Sequence, residues 1–265
     1  MPGVTLRRMS DAQEYDAAFV TLLESVWGEG FLSPGGTGEV ARILEGLDLR
    51  GAAVLDIGCG TGGAAFGIAT DNDTATVTGV DVAGNLIGQA RVRAAERGLE
   101  TRTSFLRVAP GPLPFADGEF DIVFSKDSLV HIPDKLAVCR EILRVLRPGG
   151  VFAASDWLRG PGPISRQLQY YIDVENLGFG MGTAEDYEHA LAVAGFRDIR
   201  LVDRNAWYRD VARSEHAALT GPLYARLVAQ LGEEFTRHEI EVWRALTVVL
   251  DSGELRPTHL RARRP

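Results

Sequence analysis

The feature that most constrains this chain is a regular alternation of short apolar runs and longer helical patterns between residues 52 and 156. Strands that alternate with helices of about 10–15 residues are typical of βαβ units and a parallel sheet. The predicted strands are 52–57, 75–82, 103–108, 120–125 and 151–156, with helices at 62–70, 85–97 and 135–146. We therefore expect an α/β fold with a Rossmann-like, doubly wound sheet.

The regions on either side of this core extend the prediction. Residues 1–50 are expected to form a helical lid, with helices at 11–27 and 37–47 around a break rich in Gly and Pro at 28–36. Residues 51–265 are expected to form the main domain. Its later part is predicted to contain an irregular insertion near 158–182, a helix at 184–194, a strand at 198–202, extra helices at 206–231 and 237–250, and an extended stretch at 254–263.

Composition excludes several classes of protein. The chain has 265 residues with 28 Lys plus Arg and 36 Asp plus Glu, so its net charge of −8 disfavours nucleic-acid binding. Only two cysteines are present, Cys59 and Cys139, and no cysteine or histidine cluster has metal-ligand spacing. No apolar run approaches the length of a membrane span. We expect a cytoplasmic protein with no metal and no contact with membrane or nucleic acid.

A glycine-rich loop lies between the first predicted strand and helix, and it reads Asp56-Ile57-Gly58-Cys59-Gly60-Thr61-Gly62-Gly63. Glycines let the backbone turn tightly and approach a ligand closely, and a helix N-terminus offers free N–H groups to it. The second strand ends at Asp81, whose carboxylate can accept two hydrogen bonds from a ribose diol. Nicotinamide and S-adenosylmethionine sites share both features, so these residues alone leave the cofactor open.

Three further features separate the two cofactors. The glycine pattern differs from the dinucleotide pattern G-x-G-x-x-G, Asp56 precedes the first glycine by two residues, and characteristic segments follow at 113–123 and 143–150. Together they resemble the class I S-adenosylmethionine-dependent methyltransferases over residues 54–156. The resemblance implies a seven-stranded sheet and S-adenosylmethionine as cofactor, with S-adenosylhomocysteine as product. It also implies cofactor contacts from Asp56, Gly58, Gly60, Asp81 and Val82.

One position departs from that family. The third strand is followed by Ala109, where the family often has an acidic residue that binds the adenine amino group. The adenine would then be held near Ala109 by backbone groups or apolar contacts.

A narrower resemblance, to the phosphoethanolamine N-methyltransferases, covers two segments. Residues 125–135 resemble the segment after that group's fourth strand, and residues 28–36 resemble its N-terminal lid. The resemblance implies cofactor contacts from Ser33 and Lys126. The catalytic residues that it implies are Tyr15, Asp127 and His131.

The chemistry of these residues fits methyl transfer to nitrogen. An ammonium group has no lone pair, so a base must take its proton, and histidine titrates in the right range. His131 lies four residues after Asp127, so a helical turn would present both on one face. The alternative is a hydrogen-bonded structural histidine at a helix start. The other four histidines (His189, His216, His238 and His259) are expected at the surface.

The insertion after the fifth strand indicates the acceptor. Phosphobase enzymes hold phosphate there with hydroxyl and basic groups, whereas alignment gives Trp157, Asp173, Leu177 and Phe179 at such positions. This acidic segment favours an uncharged or cationic acceptor over a phosphate. Two alternatives stay open. Asp173 and Glu175 could form a solvated helix face, and an arginine from the late helices (Arg204, Arg209 or Arg244) could cover the site.

The sequence thus predicts an enzyme that transfers a methyl group from S-adenosylmethionine to a small molecule. We expect N-methylation of a small amine; glycine, sarcosine and dimethylglycine methyltransferases share a related core. The alternative is an O- or C-methyltransferase of a secondary metabolite. A more remote alternative is a nucleotide-binding or NAD-dependent protein with the same fold.

Overall fold

The computed structural model describes residues 15–72, 74–176 and 178–265, which contain one mixed sheet of seven strands with helices on both faces. The strands are β1 Ala53–Ile57, β2 Thr76–Asp81, β3 Thr103–Arg107, β4 Phe120–Lys126, β5 Leu146–Arg159, β6 Arg197–Asp203 and β7 Leu255–Arg263. Their order is β3-β2-β1-β4-β5-β7-β6. The first five strands pair in parallel, and β7 pairs antiparallel with β5 and β6. The predicted seven-stranded, doubly wound sheet is confirmed.

The helices of the described residues are α1 Ala17–Trp27, α2 Gly36–Ile43, α3 Gly63–Asp71, α4 Gly84–Glu96, α5 Lys135–Val145, α6 Arg166–Glu175, α7 Ala184–Ala194, α8 Asn205–Thr220, α9 Tyr224–Leu231 and α10 Glu233–Asp251. A short 3₁₀ helix, Leu129–His131, follows β4. None of these helices combines the length and the apolar character needed to cross a bilayer.

Burial on both faces explains why the inner strands are continuously apolar. Neighbouring residues of β1 enter different clusters: Val54 packs on the side of α3, and Leu55 packs on the side of α5. A sheet covered on both faces needs such apolar runs instead of strict alternation. A third cluster joins α1 to the late helices, with Leu22, Tyr208 and Trp243 among its buried members.

Two predicted segments differ from the structure. The predicted irregular insertion contains the helix α6, which Ser165 caps by accepting from the backbone N–H groups of Gln167 and Leu168, both at 3.1 Å. The single helix predicted over 206–231 is two helices, α8 and α9. Gly221 and Pro222 separate them, and proline lacks the N–H that would continue the first.

The N-terminal segment lies against the glycine loop. Residues 1–14, and with them the start of the helix predicted over 11–27, fall outside the described residues. The described helix α1 begins after Asp16, whose Oδ1 accepts from the Phe19 N–H at 2.8 Å. Beyond α1, the Gly30 carbonyl accepts from the Gly63 N–H at 3.0 Å. That bond brings the predicted lid onto the first turn of α3.

Candidate functional site

A cavity of about 930 Å³ opens at the carboxyl ends of the parallel strands. Ligands of open α/β sheets bind at this edge. The predicted catalytic and cofactor residues that line this one cavity are Tyr15, Ser33, Asp56, Gly58, Gly60, Asp81, Val82, Ala109, Lys126, Asp127 and His131. The fold therefore brings together, in one cavity, residues that lie far apart in the sequence, such as Tyr15 and His131.

The glycines of the loop are required by its close contacts. A Cβ at Gly58 would lie 2.2 Å from the Ser128 side chain, and the residue has a φ of +73°. A Cβ at Gly63 would lie 2.4 Å from the Gly30 carbonyl oxygen. Contacts this short exclude a side chain at either position, so glycine lets Ser128 and the Gly30 carbonyl pack against the loop.

Asp81 connects the end of β2 to this loop. Its Oδ2 accepts from the Gly60 N–H at 3.0 Å, and its Oδ1 accepts from the Ala83 N–H at 2.9 Å. Burial raises the pKa of Asp81, and these backbone bonds oppose the rise. Each carboxylate oxygen has a second lone pair, so the group can still accept from a diol in the cavity.

Asp56 is a fully buried carboxylate with an unsatisfied atom. Its Oδ2 has no hydrogen-bond partner among the described residues. Burial raises the pKa of Asp56 to about 7; Asp81 adds to the rise, and Lys126 opposes it. Since buried polar atoms are nearly always paired in proteins, this oxygen suits a ligand that brings a donor or a positive charge.

The Lys126 side chain is bonded to the segment predicted to form the lid. Its Nζ donates to Ser33 Oγ at 2.5 Å, to the Pro34 carbonyl at 2.7 Å and to Asp127 Oδ2 at 2.9 Å. An ammonium has three donors, and all three are in use. Lys126 also lines the cavity, and its predicted contact with the cofactor stays a prediction.

A second lid contact, from Glu24 in α1, was not expected from the sequence. Its Oε1 accepts from the Gly30 N–H and from Thr61 Oγ1, both at 3.0 Å. Its Oε2 accepts from Arg93 of α4 at 2.9 Å. Glu24 thus joins the lid, the glycine loop and α4. Only its place as the single charged residue of α1 hinted at this role.

Asp127 reaches the cavity in a different way from that predicted. Its φ of +56° is left-handed, and the 3₁₀ helix starts only at Leu129, so no helical turn relates it to His131. Ser155 donates to its Oδ1, and Lys126 holds its Oδ2. The two residues nevertheless share the cavity, because both follow the end of β4.

His131 is the candidate base. Its Nδ1 is buried with no hydrogen-bond partner among the described residues. Burial lowers its pKa and Lys135 lowers it further, while a hydrogen bond with the Gly178 backbone opposes them. The ring is therefore mainly neutral at pH 7 and can accept a proton.

The predicted acceptor residues are only partly near the site. Phe179 lies 5.6 Å from the His131 ring and stacks on Tyr171 at 6.2 Å between centroids. Trp157 meets Tyr208 edge to face and lines a small adjoining cavity with Asp127. The predicted position Leu177 lies outside the described residues.

Asp173 does not support its predicted role. It is exposed on α6, accepts from Gln169 Nε2 at 2.8 Å and does not line the cavity. Two other acids lie nearby, the half-buried Glu175 and the buried Glu239. Burial raises the pKa of Glu175 to about 7 and that of Glu239 to about 8, and Glu175 adds to the rise at Glu239.

Each arginine considered as a cover for the site is held by a carboxylate. The pairs are Arg204 with Glu39, Arg209 with Asp251 and Arg244 with Glu241. Of these three arginines, only Arg204 lies near the site, where it lines the small cavity beside Asp127.

The expectation that His259 lies at the surface is wrong. Its side chain is 14% exposed, and its Nε2 lies 2.7 Å from Glu39 Oε1. Burial raises the pKa of Glu39, but bonds from His259 and Arg204 outweigh it and bring that pKa to about 2. Glu39 and His259 are 220 residues apart, so no local pattern could have paired them.

Comparison with known proteins finds methyltransferases. A family model described as a methyltransferase domain matches residues 48–177. Phosphoethanolamine N-methyltransferase of Triticum aestivum is 31% identical over 94% of this chain and 48% of its own length. The chain thus spans about half the length of this plant relative. The 27-O-demethylrifamycin SV methyltransferase of Amycolatopsis mediterranei is 33% identical over 76% of this chain and 80% of that protein.

A solved structure has the same fold. It is phosphoethanolamine N-methyltransferase 2 of Haemonchus contortus in complex with phosphomonomethylethanolamine and S-adenosylhomocysteine. It superimposes with a TM-score of 0.90 over 100% of this chain and 62% of that one, at 24% identity.

Proposed function

The chain belongs to the class I S-adenosylmethionine-dependent methyltransferases, and we propose that it methylates the nitrogen of a small amine. The observation that carries this proposal is the shared cavity. Its glycine loop and Asp81 are features of a nucleoside site, and the same space reaches a neutral histidine. The site for the methyl donor and the candidate base therefore share one continuous cavity.

The residues present fit S-adenosylmethionine. Gly58 and Gly60 line the cavity without side chains, Asp81 can accept from a ribose diol, and the unpaired Oδ2 of Asp56 suits a cationic group. When bound, this cofactor supplies an electrophilic methyl group on a sulfonium. In the proposal the lid segment around Ser33 excludes water from that group, and Val82 and Ala109 border the adenine.

His131 is proposed to take the proton that leaves the amine, and Tyr15 and Asp127 to orient the acceptor. A neutral imidazole can accept a proton from an ammonium, which frees the lone pair that attacks. Nδ1 is a buried nitrogen that still lacks a partner, so a hydrogen bond from the substrate would satisfy it.

The acceptor is proposed to carry no phosphate, although the plant and nematode relatives are named for phosphoethanolamine. Phosphate binds best to arginine forks or to several hydroxyl donors. Glu175 lies near Tyr171, which stacks on Phe179, and Glu239 lies near Glu175; neither acid has a basic partner among the described residues. These acids and aromatic rings offer none of the basic donors that a phosphate needs, whereas the aromatic faces can hold an ammonium group.

A second candidate function is O-methylation. The rifamycin relative, whose name describes methylation at an oxygen, is matched over most of its length. A phenol or alcohol also loses a proton on methylation, so His131 could serve it equally.

The two cysteines are buried and unpaired, which suits a reducing compartment, and we propose a cytoplasmic location.

Release of S-adenosylhomocysteine should be measured with panels of amines, phenols and phosphobases. We expect turnover with a non-phosphorylated amine and little with phosphoethanolamine. Turnover of phenols alone would favour O-methylation, and a sub-millimolar KM for phosphoethanolamine would contradict our view of the pocket. Thermal stabilisation by NADH but not by S-adenosylhomocysteine would overturn the cofactor assignment.

A further inference from the structure

The turn that carries His131 is held from outside along its backbone. The Val130 carbonyl accepts from the Gly180 N–H at 2.6 Å, and within the turn the His131 N–H donates to the Ser128 carbonyl at 3.2 Å. Two buried charged residues, Asp156 and Lys135, complete this set of contacts. Neither lines the cavity, and neither has a part in the proposed chemistry.

Asp156 holds the turn from the sheet. It lies near the end of β5 and is fully buried, and its Oδ1 accepts from the Val130 N–H at 2.9 Å. Its Oδ2 accepts from the hydroxyl of Tyr187, a buried residue of α7. The carboxylate therefore links a rigid strand and a helix to the residue next to His131.

Lys135 holds the turn from the opposite side. Its Nζ lies in the first turn of α5 and donates to the carbonyls of Leu129 and Ile132, both at 2.6 Å. These carbonyls flank His131 in sequence. The chain contains only two lysines, Lys126 and Lys135, and both are buried at this site. Burial of a long charged side chain is costly and needs a compensating role.

We propose that Asp156 and Lys135 are positioning residues that fix the 3₁₀ turn so that the His131 ring reaches the acceptor. The inference rests on the proposed function, because it assigns these residues to the base of that reaction. Neither needs to touch substrate. Together they hold the peptide groups on both sides of His131, which leaves the imidazole as the free part of the turn.

The first experiment compares Asp156→Ala with Asp156→Asn. We expect the alanine variant to lose about 10- to 100-fold in kcat while calorimetric affinity for S-adenosylmethionine changes less than about twofold. Asparagine keeps an oxygen that can accept from Val130, so it should restore most of kcat. Asp121→Ala is the matched control, because Asp121 also accepts from a backbone N–H, that of Ala53 at 2.8 Å, but at the opposite edge of the sheet.

The second experiment needs no turnover. The imidazole pKa of His131 is measured by NMR in wild type and in Lys135→Met. Removing this nearby positive charge should raise that pKa toward its ordinary value. Arg144→Met, which removes a cation of the same helix that donates to the carbonyls of Leu113 and Phe115, should leave it unchanged.

Three acids also lie around the turn. They are Asp134, which caps the start of α5, Asp127 after β4 and Asp156 of β5. The NMR comparison therefore uses variants that leave the three acids in place.

The outcomes distinguish a failure of the positioning role from a failure of the proposed function. Equal losses in Asp156→Ala and Asp121→Ala, or an unshifted His131 pKa in Lys135→Met, would overturn the positioning role. If Asp156→Ala does not fold, Tyr187→Phe removes one anchor of the carboxylate and should lower kcat about threefold. If no acceptor is methylated, the proposed function fails, while the NMR result still decides whether Lys135 governs His131.

Discussion

Asp81 combines two tasks in one carboxylate, since it holds the Gly60 and Ala83 N–H groups and faces the cavity. Asp81→Ala should lower S-adenosylmethionine affinity at least tenfold, because charge-assisted hydrogen bonds to a ribose diol contribute ~1.5–3 kcal/mol each. Isothermal titration calorimetry checks this. Asp117→Ala, an exposed acid far from the loop, is the control, and unchanged affinity in Asp81→Ala would remove Asp81 from the site.

His131 sets the expected pH dependence of the reaction. Burial lowers its pKa below the ordinary 6.5, so the ring is neutral above that pH and becomes protonated only as the pH falls further. The kcat/KM of the enzyme should therefore be flat near neutrality and fall on the acid side, below pH 6.5.

The side chain itself can be tested at the same scale. His131→Ala should lower kcat by ~10²-fold or more while cofactor affinity survives, the usual size of a lost acid or base group. The exposed His238→Ala is the control. Retention of turnover in His131→Ala would show that the base lies elsewhere. A silent Tyr15→Phe would mean that Tyr15 acts through packing.

At the scale of elements, Glu24 of α1 joins the predicted lid to the glycine loop and to α4. Glu24→Ala removes bonds to Gly30, Thr61 and Arg93, so it should weaken cofactor binding about tenfold and speed its dissociation. Stopped-flow release of S-adenosylmethionine measures this.

The lid also supplies the control for that experiment. Glu29 belongs to the same segment, but it forms an exposed ion pair with Arg97 at 3.0 Å, and such pairs contribute little. Glu29→Ala should release the cofactor at the wild-type rate. If both variants released the cofactor faster by the same factor, loss of negative charge would explain the effect, and the specific contacts of Glu24 would not.

Local patterns predicted the elements that depend on local physics. The strands of the parallel core are continuous apolar runs, and their predicted ends differ from the structure by at most one residue, except that β5 is longer at both ends. The helix α6 was missed because its apolar face is short, with Leu168 and Tyr171 as its buried residues.

The site shows the same division. Its glycines and Asp81 follow from the motif, since the turn and the strand end are adjacent in sequence. Pairs such as Lys126 with Ser33, or Glu24 with Arg93, join residues 93 and 69 positions apart. Only the packing of the whole chain brings such residues together, so their bonds could not be predicted.

For the whole molecule, buried acids make stability depend on pH. Burial raises the pKa of Asp56, Asp156 and Glu175 to about 7 and that of Glu239 to about 8. Between pH ~4 and ~8 the folded chain therefore binds more protons than the unfolded chain, so the free energy of unfolding falls as pH rises. Burial also raises the pKa of Asp81 and Glu215, whereas the lowered pKa of His131 acts in the opposite direction below pH 6.5.

One variant isolates part of this slope. Glu239→Gln cannot ionise, so its melting temperature should fall less between pH 5 and pH 8 than that of wild type. Calorimetry without cofactor checks this. Glu241→Gln, on the same helix, removes a group whose pKa is about 2, so it should shift the melting temperature equally at both pH values. Parallel curves for Glu239→Gln and wild type would contradict the prediction.

Because both lysines are buried at the site, the folded molecule has its ε-amines only where the lid and the His131 turn meet the sheet. An acylating reagent specific for ε-amines can reach them only when that region opens. The rate of acylation would thus report how often the site opens, and bound S-adenosylmethionine should lower that rate. Arginine side chains at the surface would stay unlabelled, so the acylation rate would report opening of the predicted lid and of the His131 turn.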